Sequence, residues 1–339
     1  MPGPRPHLPQ LRWGPFLSRF AGEDKGWTLA CFLLLVVLFW VMLPGTFMTG
    51  RNLFNITQQV SMLAVTAFAM TIVMAMGDYD LSVGSMASLA GVAAAVAFRE
   101  TGSDGAALML ALLLGLAGGA LNGLFVSYLG IMPFVATLGT LTMFSGAAFL
   151  LAGGKTFFGS AVPQSFGEFA RGGVTVWQSG DAAVVVPNLT IVAALALIIT
   201  WFILERMVFG RHLYAMGGSS EAARLAGIDV KRTRLIAFML SGLGAALAGL
   251  MYMSRVASAN PTQGASLMLD AIAAVFLGMT MSAHGEPRVV NTLVGVLFLG
   301  VLSNGLTQLS VDSYVRDILV GAIIIAAVAA SGLEKLRRN

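Results

Sequence analysis

The sequence predicts an all-α polytopic membrane protein, and three observations lead to this fold class. Charged residues make up 11% of the 339-residue chain and apolar residues 57%, whereas soluble domains carry about 25% charged residues. Mean hydropathy is +0.83. The apolar residues form runs of roughly 17 to 22 residues, which is the length that a helix needs to cross a bilayer.

Setting these runs against the polar segments between them predicts about ten transmembrane helices. The shortest separations are "DYD" between the second and third spans and "EP" between the eighth and ninth, so the bounds near 77–81 and 285–288 are the least defined. The predicted spans are 27–44, 60–77, 81–98, 105–126, 131–152, 188–206, 235–253, 269–285, 288–309 and 314–332.

The chain divides into three parts around these spans. Residues 1–26 are predicted to form a cytoplasmic amphipathic segment, because aromatic and leucine side chains recur there at helical spacing with arginines between them. A disordered proline-rich tail is the alternative for residues 1–10. Residues 27–332 form the transmembrane domain, and residues 333–339 form a cytoplasmic basic tail.

The positive charges predict the orientation of the chain. With the N-terminus inside, fourteen of the twenty Lys and Arg residues fall in inner segments and six in outer ones, so both termini are predicted to be cytoplasmic. The same placement beside spans argues against nucleic acid as a partner, despite a pI of about 9.5. The single cysteine, Cys31, lies inside an apolar run and allows no disulfide framework.

The middle of each predicted span lacks charged residues and proline. Ionisable residues at mid-membrane, or broken helices there, are typical of carriers driven by proton or sodium gradients. The sequence therefore indicates that the energy for any transport is supplied by another chain.

No motif of the sequence predicts a catalytic or metal site. "GGKT" at 153–156 resembles the end of a nucleotide-binding loop, but Phe149 occupies the position of the first glycine. Asp78 and Asp80 are two apart, which is a weak metal signal, and helix capping by Asp80 or Ser82 is the favoured interpretation. No Ser/His/Asp or Cys/His set can be assembled, so we do not expect an enzyme.

The loop 207–234 is the most charged part of the chain. The stretch from Glu205 to Arg234 holds nine of the 36 charged residues. Ser220 is suited to the N-cap of a short helix, Glu221 to its first turn and Gly227 to its C′ position. So short a helix is unstable alone in water. It is either a docking element for a soluble partner or a chance helical turn in an ordinary positive-inside loop.

The motif "EAARLAG" (221–227) matches the EAAxxxG signature of the cytoplasmic coupling loop of ATP-binding-cassette (ABC) importer permeases. "GDYDLSVGS" (77–85), "LNGLFVSYLGIMPFVATLGTLT" (121–142), "LDAIAAVFLGMT" (269–280) and "VGVLFLGVLSNGLTQLSVDSY" (294–314) resemble the ribose/arabinose/xylose/galactose branch of that class. The resemblance extends over roughly residues 50 to 332.

This resemblance implies a type II-like ABC importer permease in which spans 2–5 and 7–10 form related halves. The recurrence of "LNGL" (121–124) as "SNGL" (303–306) fits such a repeat. The implied partners are a cytoplasmic ABC ATPase subunit, a periplasmic sugar-binding protein and a second permease copy, in a homodimer or heterodimer in the bacterial inner membrane. No cofactor is implied on this chain, because ATP and Mg²⁺ bind the ATPase. The implied coupling residues are Ser220, Glu221, Ala222, Ala223, Arg224 and Gly227.

Two departures from the pattern of this branch concern the substrate. "GDYDLS" replaces the usual "GGIDLS" in the manner of arabinose-type members, which favours pentose-like sugars or small polyols. "GMTMSAHGEP" (278–287) replaces a glycine-rich inner turn and adds His284, so neither substrate nor loop geometry can be carried over there.

A sugar pathway needs polar groups, because an apolar channel leaves the hydroxyl groups of the sugar without partners. Plain helix packing or capping is the alternative role for each candidate. A stand-alone secondary carrier or facilitator for a small polar solute, and a membrane scaffold, are the alternative functions. The candidates are Gln58, Gln59, Asn304 and Gln308 near the outer mouth, and Phe134 and Thr137 as gate residues towards the inner side.

Overall fold

The structure is a computed structural model that describes residues 27–179, 182–282 and 285–338, so the predicted segment 1–26 and His284 lie outside the described residues. The described chain is mainly helical. Its helices are α1 (Trp27–Met42), α2 (Gly50–Ala75), α3 (Val83–Thr101), α4 (Asp104–Ser127), α5 (Pro133–Ala152), α6 (Gln164–Arg171), α7 (Asn188–Trp201), α8 (Val208–Gly218), α9 (Ser220–Leu225), α10 (Val230–Val256), α11 (Ala265–Met279), α12 (Val289–Gln308) and α13 (Ser313–Arg338).

Four short strands accompany these helices. Strands β1 (Phe157–Phe158) and β4 (Ser258–Ala259) pair antiparallel, as do β2 (Gly173–Ser179) and β3 (Ala182–Pro187). The β2–β3 hairpin and α6 lie between α5 and α7, in a segment for which the sequence analysis predicted no regular structure.

Each predicted span coincides with a helix, and the all-α polytopic fold class is confirmed. Within the described residues, six helices are long and apolar enough to cross a membrane: α2, α4, α5, α10, α12, and α7 together with the π-helical turn Phe202–Arg206 that follows it. Helices α1 and α11 are apolar but shorter. Helix α13 continues through most of the predicted basic tail.

Two predicted bounds are wrong. Helix α2 begins ten residues before the predicted start of the second span, because polar residues fill its first turns and Thr49 caps it by accepting the amide of Asn52 at 3.3 Å. Helix α11 ends at Met279 rather than at 285, and residues 280–282 form turns.

Helix α10 packs against α2, α3 and α4 through backbone contacts at glycines. A Cβ atom on Gly242 would lie 2.2 Å from the carbonyl oxygen of Gly115, and one on Gly119 would lie 2.2 Å from that of Phe238. A Cβ atom on Gly249 of α10 would lie 2.1 Å from the carbonyl oxygen of Ala87 on α3. Glycines at these contacts therefore let the helix backbones approach closely, as is common between helices in lipid.

A buried polar network joins the start of α3 to α4, α5 and α10. Asp80, only 1% exposed, accepts the amide and hydroxyl hydrogens of Ser82 at 3.0 and 2.6 Å, and the hydroxyl of Ser241 at 2.8 Å. Asn122 donates to the Ser82 hydroxyl at 2.8 Å and accepts from Thr140 at 2.6 Å. Asp80 thus accepts a backbone amide at the start of α3, whereas the Ser82 side chain makes no capping bond.

Buried carboxylates elsewhere in the described chain are paired with arginines. Asp78 and Arg234 join the turn after α2 to the start of α10, with 2.7 Å between Oδ2 and Nε. Asp270 of α11 lies 2.5 Å from Nη2 of Arg316 on α13. Such pairing is what a low-dielectric interior requires of buried charges.

We expect Gly242→Ala to destabilise the protein by about 1–3 kcal/mol, the usual cost of overfilling a packed contact. The added methyl group would collide with the backbone of α4. The measurement is the thermal unfolding midpoint in detergent. Gly146→Ala on α5 is the matched control, because nothing lies within 4 Å of its Cβ position. Equal midpoints for the two variants would contradict the packing described for α4 and α10.

Candidate functional site

A polar cavity of about 540 Å³, here called the outer mouth, lies between the first turns of α2, the end of α12 and the end of β3. Six of its lining residues are polar residues that precede the predicted second span. Its lining residues are Thr46, Thr49, Arg51, Asn52, Phe54, Asn55, Gln58, Pro187 and Gln308.

A reciprocal amide pair joins α2 and α12 at this end. The Nδ2 atom of Asn52 donates to Oδ1 of Asn304 at 3.0 Å, and Nδ2 of Asn304 donates to Oδ1 of Asn52 at 3.1 Å. Gln308 donates to the same Oδ1 of Asn304 at 2.8 Å. Asn304 is 5% exposed, so it supports the wall of the outer mouth from behind.

The two glutamines predicted for the outer side differ in position. Gln58 lines the outer mouth and donates to the carbonyl oxygen of Ala170 on α6 at 2.6 Å. Gln59 points to α12, where it donates to the Ser303 hydroxyl at 3.4 Å. Three of the four predicted mouth residues are therefore brought together at the cavity, and Gln59 lies beside it.

The predicted gate residues lie apart from the outer mouth, in the first turns of α5. Phe134 is 56% exposed. Thr137 is buried, and its hydroxyl donates to the carbonyl oxygen of Pro133 at 2.8 Å and lies 3.3 Å from that of Tyr79. Thr137 thus makes contacts that helix packing explains, while Phe134 has a free face.

The sequence analysis missed Arg51, Asn52 and Asn55 as site residues. It began the second span at residue 60, where the apolar run begins. Their signal was present in "RNLFNITQQ" (51–59), in which Asn52, Asn55 and Gln59 recur at helical spacing.

The chemistry of the outer mouth suits a neutral, hydroxyl-rich molecule. Amide side chains both donate and accept hydrogen bonds, and four of them line the cavity together with two threonine hydroxyls. Arg51 is the one charged residue of the lining. The cavity therefore offers many neutral hydrogen-bonding groups and little net charge.

Near the opposite end of α2, the predicted short helix exists as α9, and its cap differs from the prediction. Ser219 rather than Ser220 is the N-cap, with extended backbone angles and a side chain that accepts the amide of Ala222 at 3.2 Å. Ser220 is the first helical residue, and its hydroxyl donates to the carbonyl oxygen of Met216 at 3.2 Å. Adjacent serines are equally good caps, so the sequence did not distinguish them.

The end of α9 follows the prediction, and one face of this helix is exposed. Gly227 occupies the C′ position with a φ of +86°, and its amide donates to the carbonyl oxygen of Arg224 at 3.0 Å. Ala223 is buried against the protein, whereas Ala222 and Leu225 are exposed, the latter by 78%. Glu221 and Arg224 form an exposed ion pair at 2.6 Å, and a hydrogen bond from Arg224 lowers the pKa of the Glu221 carboxyl.

Helix α8 connects α9 to the end of α2 and to the turn before α12. A Cβ atom on Gly217 would lie 2.4 Å from the carbonyl oxygen of Ala75, the last residue of α2. The Tyr214 hydroxyl donates to the carbonyl oxygen of Pro287, just before α12, at 3.0 Å. Burial raises the pKa of Tyr214, so its hydroxyl keeps the proton that it donates.

The described residues form no group of three or more His, Cys, Asp or Glu side chains that can hold a metal ion. The sequence-based expectation that this chain binds no metal stays a prediction.

Comparison with known proteins places these features in a family. Residues 52–328 match the family described as "Branched-chain amino acid transport system / permease component". The ribose import permease protein RbsC of Escherichia coli K12 is 36% identical over 313 residues, which is 92% of this chain and 94% of that protein. RbsC of Bacillus subtilis is 36% identical over 93% of this chain and 91% of its own length.

The D-allose transport system permease protein AlsC of Escherichia coli K12 is 32% identical over 91% of this chain and 92% of its own length. The match with the family model covers more than half of the chain, and the three relatives are matched over nearly their whole lengths. The chain therefore belongs to this family of membrane permease components of import systems.

Proposed function

We propose that this chain is the permease subunit of an ABC importer that moves a monosaccharide, of pentose-like size or a small polyol, into the cytoplasm. The observation that carries the proposal is the near full-length match to ribose and D-allose permeases, together with the amide-lined outer mouth. The chain does no chemistry on its substrate. A separate ATPase subunit binds ATP and Mg²⁺ and supplies the energy.

The lining of the outer mouth favours a sugar over an amino acid, although the description of the family names branched-chain amino acids. An amino acid brings an ammonium and a carboxylate group, and each needs a partner of opposite charge when it leaves water. The lining contains Arg51 but no carboxylate. A neutral sugar needs only donors and acceptors, which the amides supply.

A permease of ten transmembrane helices in two related halves is part of this proposal, with α2–α5 corresponding to α10–α13. The packing supports it. Helix α10 contacts α3 and α4, and α2 likewise contacts α11 and α12; α3 contacts α5, and α11 contacts α13. Asn122 and Asn304 occupy corresponding places in the two halves, within "LNGL" and "SNGL".

The proposal places both termini and α9 in the cytoplasm and the outer mouth towards the periplasm. Helix α9 docks on the ATPase subunit, and the residues for this contact are Ser220, Glu221, Ala222, Ala223, Arg224 and Gly227. A periplasmic sugar-binding protein delivers the sugar to the outer mouth. A second permease copy, identical or related, completes the transporter. Gln59, Phe134 and Thr137 remain proposed pathway residues.

The function is tested by reconstituting the chain, its co-purifying ATPase and its binding protein in liposomes. We expect ATP-dependent uptake of a labelled pentose that unlabelled leucine does not inhibit. Uptake that persists without ATP and stops when an ionophore collapses the ion gradients would contradict the proposal and favour the stand-alone carrier. Inhibition by leucine would contradict the substrate class.

The first prediction of this proposal concerns α9. We expect Glu221→Lys to abolish ATP-driven uptake, because it reverses the charge on the exposed face that meets the ATPase, while the amount of permease in the membrane stays unchanged. Co-purification of the ATPase measures docking directly. Glu100→Lys is the matched control, because Glu100 is also exposed and paired with a neighbouring arginine, but lies at the end of α3. Normal uptake by Glu221→Lys would contradict the coupling role of α9.

The second prediction concerns the outer mouth. Gln58→Ala and Gln308→Ala each remove an amide group from the cavity lining, so we expect each to lower the uptake rate about 5- to 10-fold, as for the loss of one hydrogen bond. ATPase co-purification should not change. Gln164→Ala serves as control, because Gln164 is exposed on α6 and donates to Glu168. If both variants take up sugar at the parental rate, the sugar does not pass these residues.

A further inference from the structure

We infer that α8 is a clamp that holds the inner ends of α2 and α12 in one fixed relation, with Gly217 and Tyr214 as its positioning residues. Through this clamp, a displacement of α9 reaches the outer mouth. The inference rests on the proposed function, and it adds a transmission route between two sites at opposite ends of the molecule.

The first contact of the clamp is between backbones. The carbonyl oxygen of Ala75, at the end of α2, fills the space where a side chain of Gly217 would begin. The chain then turns away from α8 at Gly77, whose φ of +84° is a conformation that glycine adopts readily. Because no flexible side chain lies between the two backbones, α8 cannot move towards α2 without displacing it.

The second contact reaches α12. The Tyr214 hydroxyl binds the carbonyl oxygen of Pro287 at 3.0 Å, two residues before α12 begins at Val289. An ion pair between Glu205 and Arg288, with 3.6 Å between Oε2 and Nη1, supports the same turn. Tyr214 and Gly217 are three residues apart and lie on one face of α8, so a single helix face holds both partners.

Helices α2 and α12 are joined along their length as well as at the clamp. The hydroxyl groups of Thr71 and Thr292 lie 3.0 Å apart near the inner end. A Cβ atom on Gly300 would lie 2.0 Å from Cγ1 of Val60, so the two helices are in close contact midway. The Asn52–Asn304 amide pair joins them at the outer mouth. The two helices therefore form one rigid unit.

Helix α8 is also joined to α9, since Ser219 alone separates the two. The amide of Ser219 donates to the carbonyl oxygen of Ala215 at 3.1 Å, and the Ser220 hydroxyl donates to that of Met216. A force on α9 therefore acts on α8 directly. The α2–α12 unit carries that force to the Asn52, Gln58 and Gln308 side chains of the outer mouth.

The clamp is tested with two small substitutions in the reconstituted transporter. Gly217→Ala places a methyl group against the Ala75 carbonyl oxygen, while Gly218→Ala is its matched control, because nothing lies within 4 Å of the Cβ position there. Tyr214→Phe removes one hydroxyl group. Its control is Tyr128→Phe, since the exposed Tyr128 contacts Lys231 through its ring, which phenylalanine preserves.

The readout is the number of sugar molecules imported per ATP hydrolysed, because a change in folding or abundance does not alter this ratio. We expect each of Gly217→Ala, whose methyl group displaces the end of α2, and Tyr214→Phe, which loses one hydrogen bond, to lower it about 5-fold, with ATPase docking retained. The two controls should keep the parental ratio. A parental ratio in both clamp variants would overturn the inference.

A distance measurement separates the clamp from the proposed function itself. Spin labels at Leu53→Cys, exposed on α2 outside the cavity lining, and at Ser103→Cys before α4, in a Cys31→Ser background, report movement of the outer mouth. We expect an ATP-dependent distance change in the parent that Gly217→Ala abolishes. A change that persists in Gly217→Ala, or none in a parent that imports sugar, would overturn the clamp. A parent without ATP-driven sugar import would instead refute the proposed function.

Discussion

The close approach of α10 to α3 and α4 is the constraint on which the rest of the structure depends. At Gly242, Gly119 and Gly249 the partner backbones leave no room for a Cβ atom. Such contacts gain dispersion energy that lipid tails do not supply to an isolated helix. They also fix the depth and rotation of α10 relative to its neighbours. Because α10 begins shortly after α9, the fixed position of α10 also limits where α9 can lie.

A polar group buried in this tightly packed interior needs a partner within the protein. Asp80 is the clearest case, since its carboxylate accepts hydrogen bonds from Ser82 and Ser241 while Asn122 completes the network. The Asn52–Asn304 pair meets the same need at the outer end, where each amide satisfies the other. The first set joins helices in the protein interior, whereas the second set lies beside a cavity in which a sugar can compete for the same groups.

Hydropathy located the helices well because a helix in lipid needs an apolar run. It failed at the start of α2. Six of the first ten residues of α2 are polar, so the apolar pattern placed the start of the span after Asn52 and Asn55, which line the outer mouth. The cap of α9 was misplaced by one residue, since Ser219 and Ser220 are chemically alike and only backbone angles separate them. Helix α8 escaped prediction because its contacts with Ala75 and Pro287 are to backbone atoms, which leave no residue pattern.

The division of polar residues between the two ends of the chain has a physical reason. Within the described residues, the buried Asp78 and Asp270 carboxylates are each paired with an arginine, so neither is a free group for an ion to drive transport. In the proposed function, the ATPase subunit supplies the energy through the exposed α9, and the sugar enters at the other end of α2 past neutral amides. Between the two sites, the threonine, glycine and asparagine contacts of the α2–α12 unit keep it rigid.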